Sequence, residues 1–185
     1  TKHYLHNAEK EADALSELAE EHGKRVRRVD SCTAAELRKL LAEDVRPRIL
    51  LFIGHADAKY KGEFTLGFTD AVGGLQFLDP ATIADVLSNA PNLELVVLNG
   101  CKSAALGEAV VGRDLQPDQR TILAVCWKTI VDDEAAGLFT PALFGQLFHR
   151  DSDGVEMGRL LPNAFEQAEL AIRTPTRPDG VGAKF

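Results

Sequence analysis

The amino-acid sequence predicts an α/β fold in which a mostly parallel central sheet is flanked by helices. Three short runs of the chain are almost continuously apolar, as expected of strands that are buried on both faces. These runs are RILLFIG (48–54), LELVVLNG (93–100) and TILAVCW (121–127). The segments between them carry apolar residues at spacings of three and four, which is typical of amphipathic helices. Strands that alternate with such helices pair in parallel, with helices on both faces of the sheet.

The first part of the chain predicts two helices with a short strand between them. The stretch YLHNAEKEADALSELAEEHG spaces its apolar residues for a helix and ends at Gly23, a helix-terminating residue. RVRRVD (25–30) is a candidate strand. Thr33 and Glu36 form a capping-box pattern ahead of a second predicted helix, TAAELRKLLAED (33–44).

The segment after the first apolar run predicts a β-hairpin. Alternating apolar residues over Phe64–Phe68 and Leu75–Phe77 flank a turn-forming stretch, Asp70–Gly74. Asp79 followed by Pro80 then predicts the start of a helix, because proline suits the first helical turn. The hairpin is therefore expected as an insertion between the first apolar strand and this helix.

Three more helices are predicted beyond the second apolar run. A short one covers 103–111, and a longer one covers 133–148, where Pro141 predicts a late start or a kink. The last is expected from Pro162 to Arg173. Its predicted inward face comprises Ala164, Phe165, Ala168 and Ala171. The remaining tail is expected to be a loop.

Length and composition predict one domain over residues 1–185 and exclude several classes of partner. The net charge is −7 without a basic block, which argues against nucleic acid and anionic membranes. No stretch approaches the roughly 20 apolar residues of a membrane span, and no signal peptide is visible. Three cysteines without CxxC spacing argue against a disulfide scaffold and a zinc site. We therefore expect a cytoplasmic protein in a reducing compartment.

The first predicted helix has no strand before it, although open α/β domains commonly begin with one. The chain also starts with Thr1 rather than methionine. We therefore expect a fragment of a longer chain whose leading strand is missing.

Chemically versatile side chains follow the three apolar runs, where the carboxyl ends of parallel strands form a ligand-binding edge. His55 follows the first run and Cys101 the second. A thiolate is a nucleophile and an imidazole a general base or acid, so the pair suits acyl transfer. The backbone N–H groups of Ala56 and Cys101 are candidates to hold an oxyanion.

Structural interpretations of these residues stay open at this point. A single histidine at a strand end is often structural, and a single cysteine in an apolar stretch is often a small core residue. Cys126 fits the core interpretation because it lies inside its predicted strand, and Cys32 is expected to be incidental. For His55 and Cys101 the catalytic and structural interpretations remain in balance.

Three strings together resemble a CHAT domain, the caspase-like module related to separases. They are LLFIGHADA, LELVVLNGCKSA and ILAVCWKTIVDDEAAGLF, in the order in which the family has a Gly-His, an Asn-x-Cys and a Trp followed by Asp. The early helix, with Glu9 or Glu11 after YLHNA, extends the resemblance from Leu5 to Ala171. Ala56 stands where the family commonly has glycine, and the spacing from Trp127 to the aspartates is longer than usual.

This resemblance implies a caspase-hemoglobinase fold, a three-layer sandwich around a mostly parallel sheet. It implies a cysteine endopeptidase with His55 as base and Cys101 as nucleophile, which needs no metal or organic cofactor. In separase-like relatives a carboxylate after the third strand receives a basic P1 side chain, so Asp132 or Asp133 predicts cleavage after Arg or Lys. The alternative is that either residue caps the following helix.

Two other residues are less favourable candidates for the specificity pocket. Asp57 is a weaker candidate, and Asn99 stands where some caspase relatives have a specificity aspartate but offers no charge. The expected partners are a protein or peptide substrate and regulatory domains of the same or another chain.

Two alternative functions are compatible with an α/β fold. The first is a catalytically silent CHAT-type interaction module in a larger regulatory assembly. The second, a flavodoxin-like nucleotide binder, is disfavoured because no strand is followed by a glycine-rich phosphate loop. The one Gly-Gly pair, at 73–74, belongs to the predicted hairpin.

Overall fold

A computed structural model describes residues 8–42, 47–56, 58–70, 72–112, 121–150 and 155–173. In chain order the elements are α1 (Ala8–Glu21), α2 (Ala34–Ala42), β1 (Ile49–Ile53), β2 (Ala58–Tyr60), β3 (Glu63–Thr65), β4 (Gly67–Thr69), β5 (Leu75–Phe77), α3 (Pro80–Ser88), β6 (Leu95–Asn99), α4 (Ala104–Val111), β7 (Leu123–Cys126), α5 (Asp133–Arg150) and α6 (Met157–Arg173). They divide between two compact units, one of residues 1–28 with 132–185 and one of residues 29–131.

The unit of residues 29–131 contains a three-stranded parallel sheet in the order β1-β6-β7. This confirms the predicted parallel pairing of the three apolar runs. Strand β6 is buried along its whole length because it has a strand on each side. Strands β1 and β7 are only partly buried, so the expectation of full burial is wrong for these two runs. The reason is their place at the edges of the sheet, since among the described strands each pairs with β6 alone.

Two hairpins, rather than one, follow β1. Strands β2 and β3 form the first, and β4 and β5 form the second. The second confirms the prediction: the Asp70 carboxylate accepts the N–H groups of Val72 and Gly74, and Gly73 adopts a left-handed φ of +82°. The predicted alternating strand over Phe64–Phe68 is divided, because its two ends pair with different partners.

Helices α2, α3 and α4 surround the apolar core of this unit. The capping box is confirmed, since Thr33 Oγ1 accepts the Glu36 N–H and the Glu36 carboxylate accepts the Thr33 N–H. Asp79 caps α3 through the N–H of Ala81, with Pro80 in the first turn. The core consists of Leu37, Leu41, Ala56, Leu66, Phe68, Ile83, Ala84, Leu87, Ala90, Leu93, Val96, Leu98, Leu106, Val110 and Ile122.

The other unit is helical in its described part and comprises α1, α5 and α6. Helix α1 ends as predicted: Gly23 has φ +63° and donates to Glu20, while Lys24 donates to Ala19, a Schellman motif. Helix α5 begins at Asp133 and continues through Pro141, so the expected late start is wrong.

Helix α6 begins at Met157, five residues before the predicted start at Pro162. Its buried side chains recur every three or four residues, and this apolar stripe stabilises a helix that extends on both sides of the proline. They are Met157, Leu160, Ala164 and Ala168. Phe165, predicted to face inward, is exposed.

The predicted strand over Arg25–Asp30 does not form. Val26 and Val29 remain 45% and 37% exposed, and Arg28 pairs with Asp13 on α1. Because the apolar residues of this stretch stay largely in solvent, little burial favours a sheet pairing there. Among the described helices, none combines the length and apolar character that crossing a membrane requires.

Gly107 allows α4 to pack closely on β7, which gives a stability prediction. An ideal Cβ at Gly107 would lie 2.6 Å from the Cys126 sulfur, closer than van der Waals contact allows. Gly107→Ala is therefore expected to lower the free energy of unfolding by about 1–2 kcal/mol, because overpacking outweighs the helix propensity gained. Chemical denaturation measures this change.

The sign of the effect depends on Cys126. In a Cys126→Ala background the sulfur is gone, and the remaining neighbours, the Cβ atoms of residues 126 and 124, are 3.4 and 3.6 Å away, which is ordinary contact distance. Gly107→Ala is then expected to be neutral or stabilising by up to about 1 kcal/mol. Gly137→Ala, in α5 with no atom within 4 Å, is the matched control. Equal losses in both backgrounds would contradict the close-packing explanation.

Candidate active site

The ends of β1 and β6 lie side by side, which brings the two candidate catalytic segments to one edge of the sheet. Ile53 is in register with Asn99, so the chain leaves the sheet at Gly54 and Gly100 together. The Gly54 N–H donates to the Asn99 carbonyl at 3.4 Å. His55 and Cys101 each follow directly, as the positions of the apolar runs predict.

Gly100 permits an unusually close approach of these two segments. An ideal Cβ at this position would lie 2.5 Å from the Gly54 carbonyl oxygen, 2.8 Å from the Ala56 Cβ and 3.3 Å from the Ala56 nitrogen. A side chain at residue 100 would therefore push apart the main chains that flank His55 and Cys101. Ala56, which is 1% exposed, packs into the space that Gly100 leaves.

The Cys101 side chain is half-buried and contacts the backbone of Val131. The Val131 N–H points at the sulfur at 3.4 Å, and the sulfur lies 3.6 Å from the Val131 carbonyl oxygen, within range for a thiol to donate. Among the described residues, these are the hydrogen bonds of the thiol, and none joins it to the His55 imidazole. The two segments are thus adjacent, while the side chains of the dyad are not hydrogen-bonded.

His55 is held through its backbone by the second hairpin. Its carbonyl oxygen accepts the N–H of Gly67, the first residue of β4, at 2.8 Å. The side chain of His55 is half-buried. The hairpin insertion therefore fixes the main chain at the predicted general base. Catalytic hydrogen bonds are often long or absent without substrate, so the separation from the thiol is compatible with a dyad.

The two N–H groups predicted to hold an oxyanion belong to Ala56 and Cys101. Across the described residues, neither N–H donates a hydrogen bond to a protein acceptor. Backbone donors without a protein acceptor are uncommon in buried positions, and Ala56 is buried. Both donors belong to the segments that meet at Gly100.

The turn around Cys101 contacts the segment that follows β7. Lys102 has a left-handed φ of +57°, which a non-glycine residue rarely adopts, and its N–H donates to the Thr129 carbonyl at 3.0 Å. The Ala104 N–H donates to the Trp127 carbonyl at 3.1 Å. Such sparsely populated conformations persist when surrounding contacts hold them, often at functional sites.

Two side-chain interactions that the sequence does not predict join the ends of β6 and β7. The buried Ser103 hydroxyl donates to the Leu98 carbonyl at 2.9 Å and accepts the Trp127 N–H at 3.1 Å. The Trp127 indole N–H donates to the Asn99 side-chain oxygen at 2.7 Å. A serine before a helix indicates an N-cap, so its residue type gave no signal of this bridge.

The other two thiols differ from Cys101 in their surroundings. Burial raises the pKa of Cys126, and the nearby Glu108 charge raises it further. Burial and Glu36 likewise raise the pKa of Cys32. Both are therefore protonated at neutral pH and are poor nucleophiles. Cys126 packs against the core, as predicted for a structural residue.

The acidic residues predicted for the P1 pocket lie at the start of α5, in the unit of residues 1–28 and 132–185. The Asp132 carboxylate accepts the Glu134 N–H at 2.8 Å, and its carbonyl accepts the Ala136 N–H, so Asp132 caps this helix. Asp133 is the first residue of the helix. Asp57 lies outside the described residues. Asn99, the uncharged residue at the position of a specificity aspartate, uses its side-chain oxygen in the bond with Trp127.

Within the described ranges, no group of three or more His, Cys, Asp or Glu side chains is arranged to hold a metal ion.

A family model described as "CHAT domain" matches residues 2–179 of the 185-residue chain. No curated protein matches the chain.

Proposed function

Because the chain belongs to the CHAT domain family, which is associated with caspase-like peptidases, we propose that it is a cysteine endopeptidase that acts through a His55–Cys101 dyad. The observation that carries the proposal is the close contact of Gly100 with Gly54 and Ala56, which sets the two segments against each other. The parallel sheet β1-β6-β7 also supports the proposed caspase-like three-layer sandwich, and residues 1–185 are proposed to form one such domain.

The reaction is acyl transfer to and from the Cys101 sulfur. The thiol proton passes to His55, and the thiolate attacks the peptide carbonyl carbon. The N–H groups of Ala56 and Cys101 bind the oxyanion, and His55 then protonates the leaving amine as the C–N bond breaks. Water activated by His55 attacks the thioester and releases the carboxylic acid and the thiol.

Covalent labelling tests this proposal. The protein is incubated with acyloxymethyl ketones that carry a short peptide with Arg, Lys, Leu or Asp at P1, and mass spectrometry locates the adduct. We expect a thioether on Cys101 and none on Cys32 or Cys126, whose raised pKa values keep them as thiols. No adduct with any of the four probes would contradict the proposal.

A catalytically silent interaction module is the second candidate function. The contact of the Cys101 thiol with the Val131 backbone favours this second function. The sulfur is hydrogen-bonded to the N–H and the carbonyl of Val131 rather than to His55. Labelling separates the two candidates: for a module that acts by docking regulatory domains, the Cys101 thiol is expected to react no faster than an ordinary half-buried thiol.

The proposed substrate is a protein or peptide with a basic P1 residue, cleaved in a reducing, cytoplasmic compartment that suits free thiols. Asp132 or Asp133 is proposed to receive the P1 side chain, since a carboxylate and a guanidinium form two parallel hydrogen bonds. The Asp132 carboxylate has one oxygen in the helix-capping bond and a second oxygen for a ligand.

Asparagine at the pocket position is expected to weaken labelling by the Arg probe about tenfold, with little effect on the Leu probe. Asp132→Asn keeps an oxygen that can cap α5, so the helix is retained while the charge is lost. Asp133→Asn is tested in parallel, and Asp13→Asn, on exposed surface of α1, is the control. An unchanged ratio of Arg to Leu labelling in both pocket variants would remove the P1 assignment.

A further inference from the structure

Ser103 stands at the N-cap of α4, yet its hydroxyl does not cap the helix. The residue is 1% exposed, and serine at this position ordinarily accepts an N–H from the first helical turn. Its hydroxyl instead bonds to groups outside the helix. The hydroxyl therefore stabilises the contact of the helix start with the sheet, rather than the first turn of the helix.

Both partners of the Ser103 hydroxyl lie where the parallel ladder between β6 and β7 ends. Leu98 is in register with Cys126, the last residue of β7, and Trp127 comes next. The hydroxyl donates to the Leu98 carbonyl at 2.9 Å and accepts the Trp127 N–H at 3.1 Å. Ser103 thus adds one side-chain bridge to the backbone ladder, at the edge that carries the candidate active site.

A second link lies beside the first. The Trp127 indole N–H donates to Asn99 at 2.7 Å, and the Lys102 N–H donates to the Thr129 carbonyl. The turn of residues 99–104 is therefore bonded to the segment of residues 127–131 on both sides of Cys101. Since Cys101 lies in the middle of this turn, the bridge fixes where its sulfur stands.

We propose that Ser103 is a positioning residue for the Cys101 nucleophile: its hydroxyl holds the end of β6 to the start of the segment after β7, and it touches no substrate. The proposal rests on the proposed peptidase function. Without the hydroxyl, the Leu98 carbonyl and the Trp127 N–H lose their bridge, and the turn is free to move. Displacement of a nucleophile by about 1 Å costs on the order of 100-fold in rate.

The test compares three variants in the intact protein. Ser103→Ala removes the hydroxyl and Ser103→Thr keeps it. Ser88→Ala is the matched control, because Ser88 is a part-buried serine that donates to the Val110 carbonyl at the other end of α4. For the peptide ketone that labels fastest, we expect Ser103→Ala to lower the maximal labelling rate roughly 10- to 100-fold with a nearly unchanged half-saturating concentration. Ser103→Thr should recover most of the rate, and Ser88→Ala should keep it.

A second readout does not need peptidase activity. Iodoacetamide reacts with any accessible thiol, and we expect Ser103→Ala to alkylate severalfold faster at Cys101 but not at Cys126, because the turn loosens locally. Trp127 is the one tryptophan of the chain, so its emission reports directly on the same bridge. Slower labelling by the peptide probe together with faster general alkylation would be hard to obtain from unfolding, which would expose all three thiols.

These measurements distinguish failure of the proposed peptidase function from failure of the positioning role of Ser103. If the unmodified protein takes no peptide probe, the peptidase proposal fails, and the alkylation and emission changes alone decide whether Ser103 fixes the turn. If Ser103→Ala labels at the original rate, the positioning role is overturned. It is overturned equally if Ser103→Ala leaves Cys101 alkylation and Trp127 emission unchanged, or if Ser88→Ala lowers labelling to the same extent.

Discussion

Replacement of Cys101 by alanine is expected to abolish labelling by peptide ketones, and replacement of His55 by alanine to slow it by roughly 10²- to 10⁴-fold. The alanine at 101 removes the sulfur that attacks. The alanine at 55 leaves the sulfur but removes the group that takes its proton. Inactivation rates from intact-mass measurements over a range of probe concentrations give both effects.

Matched variants show whether these losses are specific. Cys126→Ala and Cys32→Ala remove thiols whose pKa values burial raises, and each should retain labelling at Cys101. His149→Ala removes an exposed histidine of α5 and should leave the rate unchanged. Full labelling of His55→Ala would reject the dyad, and an adduct on Cys126 or Cys32 would reject Cys101 as nucleophile.

The pH dependence of labelling follows from the same chemistry. Because burial raises the pKa of Cys126 and Cys32, these two thiols gain thiolate, and hence reactivity, only as the solution is made distinctly alkaline. General alkylation of Cys126 and Cys32 is therefore expected to become appreciable only at alkaline pH.

The sheet could be predicted because its signal is local. A run such as LVVL is apolar on both faces, and burial of both faces follows directly from that composition. The caps at Thr33 and Asp79 could be predicted for a similar reason, since the side chain bonds to a backbone group two or three residues away. These features need no knowledge of distant parts of the chain.

The predictions are wrong where contacts between residues far apart in the sequence determine the local structure. Arg25–Asp30 has residues that suit a strand, but a strand also needs a neighbouring strand to pair with. The sequence of this segment does not show whether such a neighbour exists. Helix α6 extends before Pro162 because buried Met157 and Leu160 outweigh the loss of one backbone hydrogen bond. At β1 the apolar composition indicated full burial, but its edge position depends on how many strands the sheet contains.

The candidate site also combines features that local sequence predicts with features that depend on distant contacts. The adjacency of the segments that carry His55 and Cys101 follows from parallel strands that end at one edge, so sequence alone could predict it. The contact between Cys101 and Val131 spans thirty positions and depends on the path of the segment after β7. The bridge made by Ser103 replaces the cap that its residue type suggests, and no local pattern distinguishes the two.

Gly100→Ala is expected to lower labelling of Cys101 more than about 100-fold while Cys101 and His55 both remain. The new Cβ would lie 2.5 Å from the Gly54 carbonyl oxygen, a backbone atom that no side-chain rotation can move away. The segments on either side must therefore separate, and overpacking is expected to reduce the free energy of unfolding by about 1–3 kcal/mol. Labelling rates and chemical denaturation measure the two effects separately.

The second neighbour of that Cβ provides the decisive control. The Ala56 Cβ would lie 2.8 Å away, so Ala56→Gly removes this conflict and leaves the one with Gly54. We expect Ala56→Gly alone to label at nearly the original rate, since it keeps the backbone N–H at residue 56. Combined with Gly100→Ala, it should recover part of the stability and only a minor part of the labelling.

A partial recovery distinguishes two roles of the glycine. Relief of the Ala56 conflict restores packing in the core, whereas the conflict with Gly54 still separates the segments that carry His55 and Cys101. Gly158→Ala, in α6 with no atom within 4 Å, controls for the general effect of the substitution. If Gly100→Ala lost stability but labelled normally, the close approach would serve packing alone, and the geometric basis for a dyad at this edge would be lost.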